Sequence, residues 1–496
     1  MGEEVEQKVT PWEILLVLVA AWFVVNVLLA AVVVFYERRS PASTWAWLFV
    51  LFFIPVLGFI IYLFLGRSVS REKVFLKKAE NDHQTLIDFV DQNEALTLEI
   101  EKQAFSHDGL GLSQSYHHLY DFAFLNVHSG SWLTFNNKLN FFFDGNKKFD
   151  ALMDDIERAQ KFIHLEYYIV RGDALGAKIV QALAKKAKEG VQVRVLYDYM
   201  GNWLLPKGFF RPLEEAGGEA MPFLAPAFVR FNSRNHRKIV VIDGKIGYVG
   251  GFNIGDEYLG RVKRFGFWRD THVRLRGDVV AQLQIRFLMD WNYSAKRSVP
   301  YNSFFFPPVK EHFGYLPAQI VCSGPDTQWR SVQNSYFKMI NEAERSVFIQ
   351  TPYFVPDAGI QEALRVAALS GIDVRIMIPG KPDHPFVYWA SMSYLGELLE
   401  AGVKCYQYET GFIHSKTVCI DGIAASVGTA NMDVRSFRLN FEVNAFLYDP
   451  HTVEELEEKF RKDLKECTEI TPEWYEKRGH RFRFKEAVSR LISPVL

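Results

Sequence analysis

The stretch HRKIVVIDGKIGYVGGFN, which runs from His236 to Asn253, returns later in the chain as HSKTVCIDGIAASVGTAN, from His414 to Asn431. The displacement between the two copies is constant, with no insertion between them. Five polar or glycine positions recur: His236 as His414, Lys238 as Lys416, Asp243 as Asp421, Gly250 as Gly428 and Asn253 as Asn431. Chance agreement at five positions with identical spacing is improbable, so the repeat predicts one site made by two halves of the chain.

Each copy is typical of a strand, a turn and a returning strand. Residues two apart in a strand point to the same face, so His236 and Lys238 project together while the apolar run 239–242 is buried. An Asp-Gly pair at Asp243 marks a turn, and the chain returns to the site at Asn253. An imidazole, an ammonium and a carboxamide side by side suit an anionic tetrahedral group such as a phosphodiester.

Both copies resemble the HxKxxxxD motif, with its trailing glycine and asparagine, of the phospholipase D superfamily. The doubled motif is highly specific. The resemblance implies a catalytic set of His236, Lys238, Asp243, His414, Lys416 and Asp421. The two aspartates are also open to an architectural role, because the turn that each one begins points away from the histidine. Asn253 and Asn431 are expected to bind substrate as neutral donors. Gly251 and Thr429 stand where many superfamily members carry serine, a difference of little consequence at a position that permits close backbone approach.

Two further carboxylates follow the motifs, Asp270 in the sequence WRDTH and Glu442 in the sequence NFEVN. Each is predicted to lie on the next strand of its half. A catalytic imidazole needs an acceptor for its second nitrogen, which fixes the tautomer and stabilises the imidazolium. In the superfamily such a carboxylate orients the histidine of the opposite half. The resemblance therefore implies Asp270 with His414 and Glu442 with His236, and an ordinary surface salt bridge is the alternative.

Other segments resemble the bacterial cardiolipin synthase family over essentially the whole chain. They are ERRSP at 37–41, GR at 66–67, HLEYY at 164–168 and TPYFVP at 351–356. In that family two phosphatidylglycerol molecules exchange a phosphatidyl group to give cardiolipin and glycerol. The resemblance implies a phosphatidyltransferase that forms a phosphohistidine, with His236 as nucleophile and His414 as acid and then base. No metal and no cofactor are expected, because the motif lysines and asparagines supply the charge and the donors.

The motifs leave two alternative functions open. Another lipid reaction of the superfamily, hydrolysis of a phospholipid or transfer to a different alcohol, would use the same residues. A non-catalytic membrane protein could use the paired motifs to bind anionic lipid head groups. Binding alone would not require two histidines with two candidate carboxylates, so the intact repeat favours an enzyme.

Two apolar runs precede the catalytic portion, at 12–36 and 45–65. Each is long enough to span a bilayer of roughly 30 Å at about 1.5 Å per residue, although a buried core helix is the alternative for the second. The first run has no basic segment before it and no cleavage site after it, so it is not a signal peptide. Residues 1–66 are thus predicted to anchor the protein in a bacterial cell membrane through two spans. Basic residues near the spans favour a cytoplasmic catalytic portion, whereas Arg38 and Arg39 argue the other way.

Strand and helix patterns alternate after the anchor, and the same order returns in the second half. The predicted elements are a helix at 149–160, a strand at 162–170, a helix at 175–188 and a strand at 191–197, with counterparts at 347–355, 360–368 and 374–378. This order predicts an α/β fold, a pseudo-twofold pair of phospholipase D-like α/β sandwich domains with mixed sheets. The predicted ranges are 67–130 for a linker with a helical segment, 131–300 for the first domain and 317–476 for the second.

The boundary between the two domains is predicted from Ser294 to Pro317. It contains FFFPP at 304–308, a sequence that no regular element tolerates easily. The three phenylalanines either fill a seam between the domains or dip into the membrane, and the sequence does not separate these roles.

The last segment, 477–496, is basic in a chain of net charge −1. Phe484, Val488 and Leu491 fall on one helical face, so this basic amphipathic tail either lies on anionic lipid or packs on the domain as an ordinary solvated helix. Phosphatidylglycerol and membrane lipid are the expected partners. Nucleic acid is not, because the chain as a whole is not basic. The four cysteines show no metal-ligand spacing and fit free thiols in a reducing compartment.

Overall fold

The computed structural model describes residues 10–35, 41–54, 58, 62, 69–91, 117–127, 129–223, 233–295 and 297–493. The chain divides into two compact units. The smaller unit consists of residues 1–77 and 226–232, and the larger of residues 78–225 and 233–496.

Helix α1 (Pro11–Phe35) begins the smaller unit, with 25 residues. The Thr10 hydroxyl accepts the Glu13 backbone N–H, and the Glu13 carboxylate accepts the Thr10 backbone N–H at 2.8 Å, a reciprocal cap that starts the helix at Pro11. Its segment Pro11–Ala31 is the one helix, among the residues described, that is long and apolar enough to cross a membrane. This segment coincides with the first predicted span.

Helix α2 (Pro41–Phe53) has 13 residues, and its apolar part, Thr44–Phe53, is shorter still. A bilayer crossing takes about 20 residues. The predicted second span at 45–65 is therefore not confirmed as one continuous helix, and most of its residues after Ile54 lie outside the described part of the chain.

The first half of the larger unit forms a mixed eight-stranded sheet. Its own strands are β1 (Asn137–Asp144), β2 (Phe162–Tyr167), β3 (Gln192–Asp198), β4 (Glu219–Phe223), β5 (Lys238–Ile242), β6 (Ile246–Gly250) and β7 (Phe267–Gly277). They lie in the order β1-β7-β6-β5-β2-β3-β4, with β2, β3 and β4 parallel and the other neighbours antiparallel. The helices before and within this half are α3 (Val69–Asp91), α4 (His117–Val127), α5 (Gly145–Arg158), α6 (Ala174–Lys188), α7 (Arg211–Glu215) and α8 (Val280–Ser294).

The second half repeats this arrangement in a sheet of its own. Its strands are β8 (Ala318–Ser323), β9 (Ser346–Gln350), β11 (Asp373–Pro379), β12 (Lys404–Tyr408), β14 (Thr417–Ile420), β15 (Ala424–Gly428), β17 (Glu442–Leu447) and β18 (Cys467–Ile470), and β10 (Phe354–Val355) pairs with β16 (Met432–Asp433) separately. The sheet order is β18-β12-β11-β9-β14-β15-β17-β8. The helices are α9 (Ser331–Glu342), α10 (Ala358–Leu369), α11 (Pro385–Glu400), α12 (Val434–Arg438), α13 (Pro450–Leu464), α14 (Pro472–Glu476) and α15 (His480–Ile492). The predicted α/β fold with two mixed sheets is thus confirmed.

The two halves exchange backbone hydrogen bonds rather than merely touching. Strand β13 (Gly411–Ile413), which precedes the second motif, adds to the edge of the first sheet by pairing in parallel with β7. In the opposite direction, Asn235 forms a parallel bridge with Phe441, just before the first motif. Both halves belong to one compact unit, and each motif is tied to the sheet of the other half.

The triple phenylalanine at the predicted boundary packs inward. Phe305 is buried and meets Phe162 edge-to-face at a centroid distance of 5.1 Å, and Phe306 meets Phe89 at 4.7 Å. Phe304 also contacts Phe162. These contacts fit the seam-filling role rather than a loop that dips into lipid.

Helices occupy both flanking segments. In the predicted linker, α3 and α4 are helical, and residues 92–116 lie outside the described part of the chain. In the basic tail, α15 lies against α11, where Phe482 meets Trp389 edge-to-face at 4.4 Å and Arg490 pairs with Glu397 at 3.1 Å. The opposite face is open, since Phe484 is 71% and Leu491 82% exposed.

Candidate active site

The two motifs meet at a cavity of about 630 Å³. Both histidines line it, and so do Asn253 and Asn431. His236 and His414 are only 8% and 7% exposed, so each imidazole presents little more than one edge to the cavity. The structure therefore brings the two halves of the repeat to one place.

The first histidine is held by the opposite half through both its backbone and its ring. The His236 backbone N–H donates to the Phe441 carbonyl at 3.0 Å. Its Nδ1 lies 2.9 and 3.1 Å from the two carboxylate oxygens of Glu442, which is fully buried on β17. With Nδ1 bound to a carboxylate, Nε2 is the nitrogen left for chemistry.

The second histidine makes the equivalent contacts with residues of the first half. The His414 backbone N–H donates to the Arg269 carbonyl at 2.7 Å, and Nδ1 lies 2.6 Å from Oδ2 of Asp270 on β7. The other oxygen of Asp270 accepts the Thr271 backbone N–H at 2.7 Å. The structure thus joins histidine and carboxylate across the halves in the pairing that the superfamily resemblance implies, and neither carboxylate is a surface salt bridge.

Burial sets the charge of the two imidazoles. It lowers the pKa of His236 to about 4, although Glu442 acts in the opposite direction. It lowers the pKa of His414 to about 4 as well, with help from the Lys416 ammonium and against the pull of Asp270. Burial alone would raise the pKa of Asp270 and of Glu442, but the neighbouring lysines and histidines hold both below their usual range. The carboxylates are ionised at neutral pH.

The motif lysines lie beneath the histidines. Lys238 Nζ donates to the His236 carbonyl at 2.6 Å, and Lys416 Nζ donates to the His414 carbonyl. Burial lowers the pKa of Lys238 to about 7 and that of Lys416 to about 8, because a desolvated ammonium is costly. A bound anion would therefore stabilise the charged form of each lysine.

The motif asparagines are held by their own halves. Asn253 accepts the Ile169 backbone N–H through Oδ1 at 3.2 Å and donates to the Tyr258 hydroxyl at 3.2 Å. Asn431 donates to Asp433 at 3.2 Å, and its Oδ1 has no hydrogen-bond partner among the described residues. Both amides lie at the cavity wall, where they can support an anion from the side.

The motif aspartates lie elsewhere. Asp243 accepts the backbone N–H groups of Gln160, Lys161 and Phe162 at 2.7 to 3.0 Å, at the end of β5 remote from His236. Asp421 accepts those of Glu344, Arg345 and Ser346 at 2.7 to 2.8 Å. Both adopt a φ of 54°, the left-handed conformation of a tight turn. Their oxygens accept backbone N–H groups at the start of β2 and β9, and neither aspartate lines the cavity, which favours the architectural role that the sequence leaves open for them.

Several residues of the site escaped the sequence argument. The Tyr168 ring meets His236 edge-to-face at 4.9 Å, and the Trp268 ring lies 5.2 Å from His414. Arg234 and Arg435 also line the cavity. The HLEYY segment and the tryptophan two residues before Asp270 were signals for the aromatic pair, but nothing local in the sequence marks the two arginines as neighbours.

One group of carboxylates has the geometry of a metal site. Oxygens of Asp82, Asp290 and Asp326 lie within 4.8 Å of one another. The Lys78 ammonium, however, lies 3.0 Å from Asp290 and 2.6 Å from Asp326 and also pairs with Asp82. A buried cation of the protein itself already occupies the position that a metal ion would take.

Comparison with known proteins agrees with this geometry. The sequence family described as "Cardiolipin synthase, PLD-like domain" matches residues 152–291 and 336–464, and the one described as "Phospholipase_D-nuclease N-terminal" matches residues 18–67. The cardiolipin synthase of Listeria innocua is 48% identical over 95% of this chain and 98% of its own length. The major cardiolipin synthase ClsA of Bacillus subtilis is 49% identical over 97% of this chain and 99% of its own.

This chain belongs to the cardiolipin synthase family. The match extends through the N-terminal apolar region as well as both halves of the site, as the family resemblance predicts. Among solved structures, the phosphatidylserine synthase of Haemophilus influenzae aligns with a TM-score of 0.56 over 72% of this chain and 95% of that one. At 16% identity this likeness concerns the fold alone, and it agrees with the two-sheet architecture that cardiolipin synthases are expected to share.

Proposed function

We propose that this chain is a cardiolipin synthase that transfers a phosphatidyl group between two phosphatidylglycerol molecules and releases glycerol. One observation carries the mechanism: two imidazoles in one cavity, each tied through Nδ1 to a carboxylate of the opposite half. Two such groups can act as nucleophile and proton donor on the same phosphodiester. The high identity to curated cardiolipin synthases supports the substrate assignment.

The first displacement makes a phosphohistidine. Nε2 of neutral His236 attacks phosphorus, a nitrogen–phosphorus bond forms, and the bond from phosphorus to the glycerol oxygen breaks. Protonated His414 gives its Nε2 proton to that oxygen, so glycerol leaves as a neutral alcohol. Lys238 and Lys416 stabilise the charge that develops on the non-bridging oxygens.

The second displacement reverses these roles. His414, now neutral, removes a proton from the glycerol hydroxyl of the second phosphatidylglycerol. The alkoxide oxygen attacks phosphorus, the nitrogen–phosphorus bond breaks, and cardiolipin forms. Because one phosphodiester is exchanged for another, no external energy source is required.

The low pKa of both histidines imposes an order on these events. At neutral pH the buried imidazoles are neutral, so His414 must gain its proton when the phosphodiester binds. An anion beside an imidazole raises the pKa of that imidazole, and Asp270 stabilises the resulting cation. Substrate binding and proton uptake are therefore coupled.

A product assay separates this function from its alternatives. Purified protein is incubated with labelled phosphatidylglycerol, without added nucleotide. Cardiolipin and glycerol are the expected products. Phosphatidic acid would instead identify a hydrolase, and unchanged substrate a lipid-binding protein. Activity should persist in a chelator, because the motif lysines and amides supply the positive charge and donors; strict dependence on one added metal would contradict this.

We further propose two membrane spans and a cytoplasmic catalytic portion. Helix α1 supports the first span, and the basic residues that follow the apolar region favour the orientation. Protease added outside sealed membranes should leave the catalytic portion intact. Its digestion there would reverse the orientation.

The basic tail is proposed to lie on anionic lipid. Its support is the open face of α15, where exposed Phe484 and Leu491 accompany Arg481. The double variant Phe484→Ser and Leu491→Ser leaves the N-terminal apolar anchor unchanged. It should bind vesicles of phosphatidylglycerol less tightly than the parent protein does. Equal binding would leave α15 as an ordinary solvated helix.

A further inference from the structure

Strand β2 carries a buried carboxylate that the catalytic set does not use. Glu166, in the HLEYY segment, is fully buried. Its Oε1 accepts a side-chain N–H of Asn235 at 2.5 Å, and Asn235 directly precedes His236. Its Oε2 has no hydrogen-bond donor among the described residues. A buried carboxylate with an unsatisfied oxygen is costly, so this side chain is not explained as an ordinary anion.

The group that faces Glu166 is another carboxylate, that of Asp290 on α8, and the two side chains form a hydrogen bond. Two carboxyl groups can share such a bond only if one of them carries a proton. Asp290 is the anion of the pair, because Oδ2 accepts from Arg237 and Oδ1 lies 3.0 Å from both Lys78 and Arg286. The proton therefore belongs to Glu166, whose O–H donates to Asp290.

The charges around Asp290 are balanced without Glu166. Three cations face three carboxylates among the described residues of this cluster: Lys78, Arg237 and Arg286 against Asp82, Asp290 and Asp326. An ionised Glu166 would add an uncompensated charge to the interior. Burial and the Asp290 carboxylate raise the pKa of Glu166 to about 8, against the attraction of Arg237.

The other titratable groups near Glu166 are engaged elsewhere. On β2 itself, His164 contacts Gln284 at 3.2 Å and Arg194 at 3.3 Å. On β3, Asp198 accepts the Asn235 backbone N–H at 2.8 Å. Neither group offers a donor to the free oxygen of Glu166.

The second half has an amide at the position of Glu166. Glu166 lies opposite Ile239 on β5, and Gln350 lies opposite Thr417 on β14, which is the same position of the repeated motif. Nε2 of Gln350 donates at 3.0 Å to Asp463 on α13, the helix that corresponds to α8. The amide N–H thus does in the second half what a carboxylic O–H does in the first.

Both clusters reach the backbone of a catalytic carboxylate. Arg237 pairs with Asp290 and donates through Nε to the Glu442 carbonyl at 3.2 Å. In the second cluster, Arg269 pairs with the aspartate of α13 at 2.8 Å and donates to the Asp270 carbonyl. The donor on β2 or β9 completes each cluster, and only the donor on β2 can ionise.

We propose that Glu166 is a positioning residue for His236 and acts as a neutral carboxylic acid that accepts from Asn235 and donates to Asp290. The positioning role rests on the proposed function, because it serves the reaction at His236. Loss of the proton places two anions face to face beside both chain neighbours of His236, which moves the imidazole away from its reacting position. Alkaline pH therefore weakens one side of the site, whereas the amide of Gln350 keeps the other side unchanged.

The proton can be detected without any substrate. Infrared spectra of the full chain in detergent at neutral pH should show a carboxylic-acid C=O band that Glu166→Gln removes and that fades as the pH rises above about 8. Asp155→Asn is the matched control, because Asp155 is a buried carboxylate of the same half that pairs with Arg274 at 2.7 Å. This variant should leave the band in place. Absence of the band from the parent protein would show that Glu166 is ionised and would overturn the proposal.

Cardiolipin formation tests the positioning role. Glu166→Gln keeps a permanent donor, so its kcat relative to the parent should be within about twofold at pH 7 and should rise about tenfold by about pH 9, where only the parent loses its donor. Glu166→Ala lacks both hydrogen bonds and should lower kcat by about tenfold to a hundredfold at pH 7. Asp155→Asn should show a ratio to the parent that does not change with pH.

Two results would overturn the positioning role. A constant ratio of Glu166→Gln to the parent across this pH range is what a merely structural side chain would give. An alanine variant as active as the parent would show that the hydrogen bonds do not hold His236.

The proposed function can fail separately. If the parent yields only phosphatidic acid, it is not a synthase, and the same ratios are measured on hydrolysis; a rise with pH for Glu166→Gln would still support the positioning role. With no turnover of either kind, the positioning role falls together with the proposed function. The infrared band decides in every case whether Glu166 is a neutral acid.

Discussion

The two motif halves share their backbone contacts but differ in the side chains around each histidine. In both, the histidine N–H donates to a carbonyl of the opposite half, and the lysine donates to the carbonyl of its own histidine. The surroundings diverge beyond this frame. His236 faces the Tyr168 ring, whereas His414 faces the Trp268 ring.

The carboxylates differ as well. Glu442 reaches His236 with both oxygens, whereas Asp270 uses one oxygen for His414 and the other for the Thr271 backbone. Repeated contacts build a place for one phosphodiester between two imidazoles. The unrepeated contacts are where the two imidazoles acquire different roles, since identical surroundings would give them identical ones.

The largest expected effect comes from removing either imidazole. His236→Ala and His414→Ala should each lower turnover by at least about a thousandfold, because every exchange needs both a nucleophile and a proton donor. The assay is cardiolipin formation from labelled phosphatidylglycerol. Half-activity in either variant would show two independent sites and would contradict the view that the two halves serve one reaction.

The two variants should differ in one measurement. Acid-quenched enzyme should carry labelled phosphate on a peptide that contains His236, and His414→Ala should still form this adduct slowly with a donor whose leaving group needs no protonation. Label on the His414 peptide would exchange the roles of the two halves.

Replacing the carboxylates should give the next largest effect. Glu442→Gln and Asp270→Asn keep the side-chain shape but leave a neutral amide opposite the imidazole, so the tautomer and the imidazolium lose their support. We expect losses of about a hundredfold to ten-thousandfold in kcat. Asp270→Asn should selectively slow transfer from donors with poor leaving groups, because it affects the residue that protonates the leaving group. Equal losses for all leaving groups in both variants would mean that the two carboxylates act alike.

The fold was largely predictable because its signals are local. The predicted helix at 175–188 is observed at Ala174–Lys188, and the predicted strand at 191–197 at Gln192–Asp198. Hydrophobic periodicity and turn residues determine such elements within a short window. The pairing of β13 with β7 was not predictable, because it joins segments of opposite halves and depends on how the two sheets dock.

The site was predictable to the extent that the repeat encodes it. The histidines, lysines and asparagines sit at repeated positions, and the structure places all of them at the cavity or directly beneath its histidines. Arg234 and Arg435 sit at unrepeated positions, far apart in the chain, so their common place at the cavity wall follows from tertiary packing alone. The same holds for the pairing of Lys78 with Asp290 and Asp326, which come from distant segments, whereas its third partner, Asp82, lies one turn along the same helix.

The pH dependence should distinguish the two lysines. A lysine whose pKa is lowered carries its charge only below that pKa, so activity should fall as the pH rises through about 7, where Lys238 loses its proton. Lys416, with a pKa of about 8, follows later. Lys238→Arg, which stays protonated, should move the alkaline limb of kcat/KM up by about one pH unit. Lys416→Arg should leave it in place, and equal shifts in both variants would remove the difference between the halves.

The smallest expected effect concerns the motif aspartates, where the halves should again behave alike. Asp243→Asn and Asp421→Asn retain a residue that tolerates the φ of 54°, so each substitution tests the hydrogen bonds rather than the turn. An amide offers one acceptor oxygen where the carboxylate offers two. We expect each variant to lose about 1 to 3 kcal/mol of local stability, with the larger loss at the more buried Asp421.

Hydrogen exchange reports this loss separately in each half. Asp243→Asn should accelerate exchange of the amides at 160–162, and Asp421→Asn that of the amides at 344–346, because those N–H groups donate to the lost carboxylates. Each variant is the control for the other, since the untouched half should keep its protection. Turnover should fall only a few-fold, about as much as a slight shift of β5 or β14 would cause. A loss of activity comparable to that of the histidine variants, with exchange unchanged, would contradict the architectural role and would show that both aspartates take part in the chemistry.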